Sequence, residues 1–577
     1  MPDGLRVTIG QYSDKGRKAV NQDFHGSAIP LEPQLTSKGI ALALADGISS
    51  SDVSQIASES AVTSFLDDYY CTSDAWSVRT AAERVISATN SWLHAQTLQG
   101  QGRYDKDRGY VCTLSALIIK STTAHLFHIG DARIYRLAGQ TLEQLSRDHR
   151  ISVSNQHSYL SRALGIQPQV ELDYQALQIA PGDVFVLATD GVYDFIESRA
   201  MVAAIAASDG DLQSAAEAIV TQALAQGSTD NLTVQLVRID TVPLSAATEL
   251  TQQAQSLPLP PLLEARMQFD GYTILRELHG SSRSHIYLAT DDVSGSAVVL
   301  KTPSIDLRGD PAYLERFLLE EWIARRIDNA HVLKSPAPTR AHNYLYVVTE
   351  FIDGQTLAQW MIDHPQPELD TVRDIVAQIA KGLRGFHRLD MLHQDLRPEN
   401  IMIDRLGTVK IIDFGSTRVA GVIETAAPTD QQPLLGTPQY TAPEYFLGQA
   451  GSPRSDLFSL GVITYQMLSG RLPYGAQVAK AWTVSAQRKL VYTSVLSEQR
   501  RIPAWIDDAL RRAVHPDPCR RQDALSEFLL ELHRPGEAFL RRRRAPLIER
   551  NPLRFWQGVS LFLLLLVLGL LKRLHDS

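Results

Sequence analysis

The stretch HQDLRPENIMI (393–403) is followed, after a short strand and turn, by KIIDFGS (410–416). The first stretch carries Asp395 and Asn400, and the second carries Asp413 within Asp-Phe-Gly. A structural turn alone does not account for two carboxylates and an amide at this spacing. Together these side chains would surround one small volume, which suits the binding of Mg²⁺ with a nucleotide.

Three segments upstream of these two stretches are ambiguous when each is considered alone. VVLK places Lys301 inside an apolar strand, where a single lysine is usually a solvated edge residue. About twenty residues later, FLLEEWIARRI predicts an amphipathic helix that carries Glu320 and Glu321. Before both, LHGSSRSHIYL (278–288) predicts a tight turn between strands, either a plain hairpin tip or a loop over a ligand.

This half of the chain resembles the eukaryotic-type serine/threonine protein kinases. The motifs that carry the resemblance are VVLK, EEW, HQDLRPEN, DFG, GTPQYTAPE, SDLFSLGV and DPCRR. The resemblance implies a bilobal α+β kinase domain over residues 269–534, with ATP and one or two Mg²⁺ or Mn²⁺ ions as cofactors.

The resemblance also implies the roles of the catalytic-loop residues. Asp395 would accept the proton of the substrate hydroxyl, while Asn400 and Asp413 would hold the metal ion. Arg397 stands where the family has a lysine near the γ-phosphate, which preserves the charge but not the shape. Glu444 would pair with Arg521, and Asp456 would brace the loop.

The nucleotide contacts come from the other lobe. Lys301 would contact the α- and β-phosphates and pair with Glu320, with Glu321 as the near alternative. The remaining contacts implied by the resemblance are Gly280, Ser281, Glu350 and Ile352. The turn at 278–288 is then the loop over the phosphates, with His279, Ser281 and Ser284 where the family has glycines. Because serine is bulkier than glycine, we expect weakened ATP affinity but not loss of transfer.

Gln394 stands where the family has a catalytic-loop arginine that pairs with a phosphorylated residue of the activation loop. Glutamine cannot form that charge-assisted pair. We therefore hypothesise that this kinase does not need phosphorylation at Thr425 or Thr429.

In the first half of the chain, aspartates recur where apolar strands end. A single Asp-Gly after a strand is usually a turn. Five carboxylates gathered at one edge would repel one another unless cations held them. Oxygen ligands without His or Cys predict Mg²⁺ or Mn²⁺, and two such ions would activate a bridging water for attack on phosphorus. The five residues are Asp23, Asp46, Asp131, Asp190 and Asp230.

The order of GRKAVNQD, ADG, GDAR, YLSRALG, ATDGVYDF and STDN resembles the metal-dependent protein phosphatase 2C family. The resemblance covers residues 1–240 and implies an α+β fold, a β-sandwich flanked by helices, with two or three ions at one rim. Asp46 would bridge two ions and the Gly47 carbonyl would ligate one. Asp190 and Asp230 would complete the ligands. Asp131 would hold a third ion and Asp23 would act through water.

Three positions depart from the family pattern. Gln22 replaces a frequent glutamate, and Ile48 cannot act as a general acid. Lys18 stands at the usual position of a phosphate-binding arginine, although Arg17 is adjacent. These changes leave the predicted metal ligands in place.

The whole chain of 577 residues is too long for one core. Its formal charge of -8 argues against a nucleic-acid partner, and its three scattered cysteines indicate a reducing compartment. Residues 241–268 predict a linker, 535–554 a basic juxtamembrane segment, and FWQGVSLFLLLLVLGLL (555–571) a C-terminal transmembrane helix. The sequence thus predicts a single-pass anchor in the inner membrane with catalytic domains in the cytoplasm.

Taken together, the motifs predict a bacterial bifunctional enzyme that phosphorylates protein Ser/Thr and dephosphorylates phospho-Ser/Thr. The kinase half itself is one expected substrate of the phosphatase half. The alternative is an active phosphatase regulated by a nucleotide-binding pseudokinase module. The absent glycines and Gln394 favour that alternative, whereas Lys301, Asp395, Asn400 and Asp413 oppose it.

Overall fold

The computed structural model divides the chain into two compact units. The first is Met1–Ser256 with two short segments, Leu389–Met391 and Arg418–Asp430, and the second is the remainder. The residues described are 4–100, 103–154, 157–243, 257–281, 284–304, 310–336, 340, 342–423, 438–496, 502–537, 539–540 and 552–575.

Two antiparallel five-stranded sheets form the first unit, in the orders β1-β12-β11-β6-β7 and β10-β5-β4-β3-β2. The strands are β1 (Arg6–Asp14), β2 (Asp23–Ala28), β3 (Ile40–Asp46), β4 (Leu114–Lys120), β5 (Thr123–Ile129), β6 (Arg133–Ala138), β7 (Thr141–Gln144), β8 (Arg150–Ser154), β9 (His157–Leu160), β10 (Asp173–Gln178), β11 (Val184–Ala188) and β12 (Leu232–Thr241). The helices are α1 (Gln34–Lys38), α2 (Ser54–Cys71), α3 (Val78–Gln99), α4 (Asp190–Tyr193), α5 (Ser198–Ala207) and α6 (Leu212–Ala225).

Alternating side chains explain why the two sheets stack. Strand β3 reads IALALAD, so successive residues point to opposite faces. Leu42 and Leu44 pack in a core shared with Phe185 and Leu187 of the other sheet. The alanines of β3 face α2 and α3, where their small side chains let the helices approach. The predicted β-sandwich flanked by helices is confirmed.

The elements that follow along the chain include a third antiparallel sheet of five strands, in the order β13-β14-β15-β16-β17. The strands are β13 (Gln268–Phe269), β14 (Tyr272–Gly280), β15 (Ser284–Asp291), β16 (Ala297–Pro303), β17 (Val347–Glu350), β18 (Gly354–Thr356), β19 (Met391–Leu392), β20 (Ile401–Asp404), β21 (Val409–Ile411) and β22 (Arg418–Val419). The helices are α7 (Pro311–Arg326), α8 (Leu357–Asp363), α9 (Leu369–Arg388), α10 (Ala420–Ile423), α11 (Pro453–Ser469), α12 (Val484–Gln487), α13 (Ala504–Ala513), α14 (Leu525–His533) and α15 (Pro552–His575).

Helix α9 shows why the second lobe is helical. Its apolar residues recur at helical spacing, and Val372, Ile375, Ile379, Leu383 and Phe386 are all buried. Helix α9 packs on α11 and α14, and α13 packs on both of these helices. A sheet with α7 in one lobe and a helical bundle in the other confirm the predicted bilobal kinase fold.

Part of the predicted linker belongs to the second unit. Residues 244–256 lie outside the described residues. Leu263 is buried in the core of the β13–β17 sheet with Phe269 and Tyr272. The backbone N–H of Leu345 donates to the carbonyl of Pro258 at 2.9 Å. The C-terminal end of the 241–268 stretch is therefore packed against the kinase half.

The predicted transmembrane helix at 555–571 is wrong. Among the described residues, no helix is both long and apolar enough to cross a membrane. Gln557 and Ser560 interrupt the start of the stretch, so the run without a polar side chain is only Leu561–Leu571. A helical run of that length spans about 16 Å, against a hydrocarbon core of about 30 Å.

The inner-membrane anchor loses its support together with that helix. Most of the predicted basic juxtamembrane segment (535–554), including residues 541–551, lies outside the described residues. The placement of the catalytic domains in the cell stays a prediction.

Candidate active sites

The five aspartates of the first half do occupy strand ends. Asp23 begins β2 and Asp46 ends β3, and the two residues are direct partners across these strands. Asp190 begins α4 directly after β11, Asp131 follows β5, and Asp230 precedes β12. Both sheets therefore contribute carboxylates.

Burial and mutual repulsion perturb three of these carboxyl groups. Burial raises the pKa of Asp23 to about 6, although the hydroxyls of Thr233 and Thr189 oppose this shift. Burial also raises the pKa of Asp46 well above its usual value, with the charges of the other four aspartates adding to it. The pKa of Asp190 rises to about 7, through burial and then the charges of Asp131 and Asp230. The five carboxylates thus share one electrostatic environment.

The surroundings of Asp23 fit a bound cation. Its Oδ2 accepts hydrogen bonds from the hydroxyls of Thr189 at 3.0 Å and Thr233 at 2.7 Å. Its Oδ1 is buried and has no hydrogen-bond partner among the described residues. A buried carboxylate oxygen without a partner is costly unless a cation or an ordered water satisfies it. The oxygen-only ligand set suits Mg²⁺ or Mn²⁺.

Two basic side chains form ion pairs with three of the five aspartates. Lys18 forms an ion pair with Asp230 and donates to the Ser49 hydroxyl at 2.6 Å. Arg150 donates to Asp131 and to Asp190, at 2.5 Å in each case. In the part of the chain that the structure describes, no group of three or more His, Cys, Asp or Glu side chains is arranged to hold a metal ion. The carboxylates of Asp131, Asp190 and Asp230 are thus engaged in ion pairs with these two side chains.

Two glycines permit the close approach of the loops that carry the aspartates. A Cβ at Gly47 would lie 2.7 Å from the Ser54 carbonyl oxygen. A Cβ at Gly191 would lie 2.0 Å from the Asn231 carbonyl oxygen. Any side chain at Gly191 would push the start of α4 away from the loop before β12. The predicted metal-ligand role of the Gly47 carbonyl stays a prediction.

The departures from the family pattern have structural consequences. Gln22 uses its amide nitrogen on the Ser51 carbonyl at 2.9 Å and on the Ser54 hydroxyl at 2.7 Å. It therefore supports the loop after Asp46. Arg17 is exposed, whereas Lys18 reaches the carboxylates.

Arg150 is the site residue that sequence reasoning missed. It lies at the start of β8, directly after a short loop. A lone arginine at a strand start is normally a solvated residue, so its identity carried no signal. A count of charges at the strand ends would have raised the question of which cations balance five aspartates.

The kinase half brings Lys301, Glu320 and Asp413 together. Lys301 on β16 donates to both carboxylate oxygens of Glu320 on α7, at 2.6 and 2.7 Å. Burial would lower the pKa of Lys301, but the charges of Glu320 and Asp413 outweigh burial and raise it. Burial would raise the pKa of Asp413, but the charge of Lys301 outweighs burial and lowers it. Lys301 and Asp413 therefore remain charged.

Glu321 is the alternative partner of Lys301 that the sequence analysis leaves open. Its carboxylate pairs with Arg325 one turn along α7 and is buried. The geometry thus favours Glu320 over Glu321 as the partner of Lys301.

The catalytic-loop residues also converge. The Asn400 amide donates to the Asp395 carbonyl at 2.9 Å and to its carboxylate at 3.2 Å. Arg397 Nε lies 3.9 Å from the Asp395 carboxylate. The Ile412 N–H donates to the Asn400 carbonyl at 2.9 Å, which ties this loop to the Asp-Phe-Gly segment. A carboxylate, an amide and a guanidinium therefore line one volume.

Asp456 holds the backbone of this loop. It accepts the N–H groups of His393 and Gln394, each at 3.1 Å, and the His387 ring nitrogen at 2.9 Å. Gln394 has a φ of 66°, a left-handed conformation that is uncommon outside glycine. The fixed amides therefore maintain a strained residue next to Asp395. Thr425 and Thr429 lie outside the described residues.

The buried pair predicted from APE and DPCRR is present. Arg521 donates to the two carboxylate oxygens of Glu444 at 2.8 and 2.7 Å, and both side chains are almost fully buried.

The phosphate loop is closed by its own serine. The Ser281 N–H donates to the Ser284 carbonyl at 3.0 Å, and the Ser281 hydroxyl accepts from the Ser284 N–H at 3.1 Å. A Cβ at Gly280 would lie 2.5 Å from the Glu277 carboxylate, which pairs with His285. The one glycine of the loop therefore has a packing role.

The two nucleotide contacts predicted at and after the end of β17 differ in their surroundings. The Glu350 carboxylate accepts from Lys410 at 2.7 and 2.6 Å, so this side chain is already engaged. Ile352 is buried. Their contacts with a nucleotide stay predictions.

Residues 272–529 match the family model of the protein kinase domain, and residues 11–227 match that of protein phosphatase 2C. The kinase half is 27% identical over 264 residues to the serine/threonine-protein kinase PrkC of Bacillus subtilis, covering 44% of this chain and 39% of that protein. It is 33% identical over 253 residues to PknA of Corynebacterium glutamicum, covering 42% of this chain and 51% of that protein. The alignments thus span about two fifths to a half of those relatives.

Among solved structures, the Mycobacterium tuberculosis serine/threonine phosphatase PstP/Ppp is similar, with 24% identity and a TM-score of 0.34. The match covers 41% of the present chain and 100% of the PstP/Ppp chain. The family models establish that this chain contains a phosphatase 2C domain and a protein kinase domain.

Proposed function

We propose that this chain, which joins a phosphatase 2C domain to a protein kinase domain, is a bifunctional signalling enzyme. One half transfers the γ-phosphate of ATP to Ser or Thr of a protein. The other half hydrolyses phospho-Ser or phospho-Thr. The observation that carries the proposal is that each unit gathers its candidate residues, distant in sequence, into one charged site.

In the kinase half, Asp395 is the proton acceptor for the substrate hydroxyl. The Asn400 amide orients its carboxylate. Lys301, fixed by Glu320, supplies positive charge for the phosphates of ATP. Arg397, beside Asp395, supplies a second positive charge on the side of the transferred group. Asn400 and Asp413 would hold one or two divalent ions, which neutralise phosphate charge when bound.

In the phosphatase half, Asp46, Asp190 and Asp230 would hold Mg²⁺ or Mn²⁺, and Asp131 a third ion. Bound divalent ions supply an activated water and stabilise charge on phosphorus. Lys18, which already lies beside Asp230, would attract the phosphate of the substrate. Asp23 would act through a water molecule, with its Oδ2 fixed by two threonine hydroxyls and its Oδ1 left to accept from that water.

The test uses the full chain with phosphatase activity removed by Asp46→Asn, so that labelled product survives. With labelled ATP and a protein substrate, we expect D46N to transfer label and the double variant with Asp395→Asn to lose it. The loss should be on the order of 10²–10⁴-fold. ATP binding, followed by thermal shift, should persist in both. The matched control is Asp353→Asn, a carboxylate of the same half that pairs at the surface with Arg405.

The pseudokinase alternative gives the opposite result. It predicts equal residual labelling of D46N and its Asp395→Asn double variant, with ATP binding unchanged. Hydrolysis of a phosphopeptide by the wild type, lost on chelation and restored by Mn²⁺, tests the phosphatase half separately.

We further propose that the kinase half is a substrate of the phosphatase half. Support comes only from their fusion, which raises the effective concentration of one for the other. D46N should then accumulate more autophosphorylation than wild type. Equal levels would remove this proposal.

A further inference from the structure

Arg150 is a cationic side chain inside the phosphatase site that the proposed hydrolysis does not use. Its Nε donates to Asp131 Oδ2 and its Nη2 to Asp190 Oδ2, at 2.5 Å in each case. Its Nη1 lies 3.9 Å from the Asp194 carboxylate. One guanidinium therefore joins two carboxylates that come from different sheets.

The position of Asp131 is fixed independently of Arg150. The Tyr193 hydroxyl donates to the Asp131 backbone carbonyl at 2.8 Å. Asp131 is buried, with 6% of its surface exposed. Asp190 is fixed by helix α4, which begins with it. The two carboxylates therefore remain near each other whichever cation lies between them.

The two bonds of Arg150 are of the strong kind. Each joins a charged donor to a charged acceptor, and the guanidinium presents its N–H groups in a fixed fork. The Arg150 side chain is 27% exposed, so solvent only partly screens these contacts.

Arg150 uses Oδ2 of both carboxylates and places its positive charge between them, so a divalent ion at that place would compete for these oxygens and would be repelled by the guanidinium. One carboxylate oxygen does not accept a close guanidinium N–H and ligate a metal ion at full strength at the same time. Occupancy by the ion and contact with Arg150 are therefore linked, and each must weaken the other by the same factor.

We propose that Arg150 is a built-in competitor of the divalent ion for Asp131 and Asp190, so that the ion binds there only by displacing the guanidinium. This inference rests on the proposed phosphatase function, because it concerns the ions of that site. Arg150 would then set the affinity of the site for the divalent ion from within the chain. The phosphatase then responds to the divalent-ion level over a higher range than its carboxylates alone would allow.

Removal of the competitor should have two effects of opposite sign. Without metal, Arg150→Gln leaves Asp131 and Asp190 without their counter-charge, so the melting temperature of the metal-free chain should fall. With Mn²⁺, the same variant should bind the ion more tightly. A merely structural role for Arg150 predicts the first effect but not the second.

The experiment titrates Mn²⁺ into the metal-free full chain by calorimetry, with Mn²⁺ paramagnetic resonance as a second measure of bound ion. We expect R150Q to tighten the weakest site by about tenfold or more, within the usual range of coupling between two ligands. R150K, which keeps a charge without the fork, should lie between R150Q and wild type. R136Q is the matched control, because Arg136 has a similar exposure of 30% but pairs with Asp183.

Unchanged or weaker Mn²⁺ binding by R150Q, with wild type binding normally, overturns this inference and leaves the phosphatase proposal intact. If neither protein binds Mn²⁺ and neither hydrolyses a phosphopeptide, both proposals fall. If R136Q tightens binding as much as R150Q, the effect is one of general charge, and the specific role of Arg150 falls.

Discussion

The two sites of this chain manage their charges in contrasting ways. In the kinase half, Lys301 pairs with Glu320 and its charge lowers the pKa of Asp413, so this group of three side chains carries one carboxylate in excess. In the phosphatase half, five aspartates contact only two basic side chains among the described residues, Lys18 and Arg150. The kinase group thus leaves one negative charge in excess, whereas the phosphatase group leaves three. The stability of the kinase half should therefore depend less on bound metal than the stability of the phosphatase half.

The largest test of this contrast is Asp46→Asn. We expect phosphopeptide hydrolysis to fall on the order of 10²–10³-fold, because the residue at the centre of the carboxylates is lost. The metal-free phosphatase half should become more stable, because one buried charge is removed. Hydrolysis rates and thermal melting measure the two effects. The control, Asp183→Asn, removes a carboxylate that pairs with Arg136 and should leave hydrolysis within a few-fold. A D46N variant less stable than wild type without metal would contradict the contrast.

The next test separates Glu320 from Glu321 in the kinase half. Glu320→Gln removes the charge that fixes Lys301, so phosphate transfer should fall on the order of 10²-fold. Glu321→Gln, the neighbouring and matched change, breaks only the pair with Arg325 and should keep transfer within a few-fold. Steady-state transfer in the D46N background measures both. A larger loss for E321Q than for E320Q would contradict the role of Glu320 as the partner of Lys301.

The third test is the response of the metal-free phosphatase half to pH. Because Asp23 and Asp190 have folded pKa values of about 6 and 7, the folded state binds more protons than the unfolded state above pH 4. Stability should therefore be greatest near pH 4 and fall as pH rises from 4 to 7, by on the order of several kcal/mol, since each unit of pKa shift is worth about 1.4 kcal/mol. Hydrogen exchange of peptides around Asp46, corrected for the intrinsic pH effect, measures this. Protection that rises with pH in the absence of metal would contradict it, and saturating Mn²⁺ should remove the trend.

The smallest test concerns the phosphate loop. Ser281→Ala removes the hydroxyl that closes the turn onto Ser284, so the KM for ATP should rise about two- to fivefold with little change in kcat. The control is Ser294→Ala, a serine in another turn of the same sheet that bonds Asp291. Equal effects of both variants would mean that the sheet, and not the loop, has been perturbed.

Much of both sites could be predicted because local chain signals carry them. The five aspartates stand at strand ends, and the DFG, HQDLRPEN and VVLK stretches have fixed spacing. The choice between Glu320 and Glu321 could not be settled, since adjacent residues on a helix differ only in the side that they face. The register of α7 on the sheet decides it.

Other features depend on tertiary contacts that leave no sequence pattern. The pairing of Arg150 with Asp131 and Asp190 joins residues 19 and 40 positions apart through the packing of two sheets. The prediction at 555–571 failed for a different reason, because its average composition concealed how short the run beyond Ser560 is. The composition of a segment predicts a membrane-spanning helix poorly, because the length of its uninterrupted apolar run decides whether it can span the bilayer.

The position of β12 has a consequence for biosynthesis. This strand is the last of its sheet in sequence, yet it lies between β1 and β11, directly after Asp230. The sandwich therefore cannot close until residue 241 has left the ribosome, and it can close before the kinase domain has been completed, since helix α14 of that domain ends only at His533. Each newly synthesised kinase domain then emerges tethered to a phosphatase domain that is already folded, so the removal of phosphate is available before its transfer.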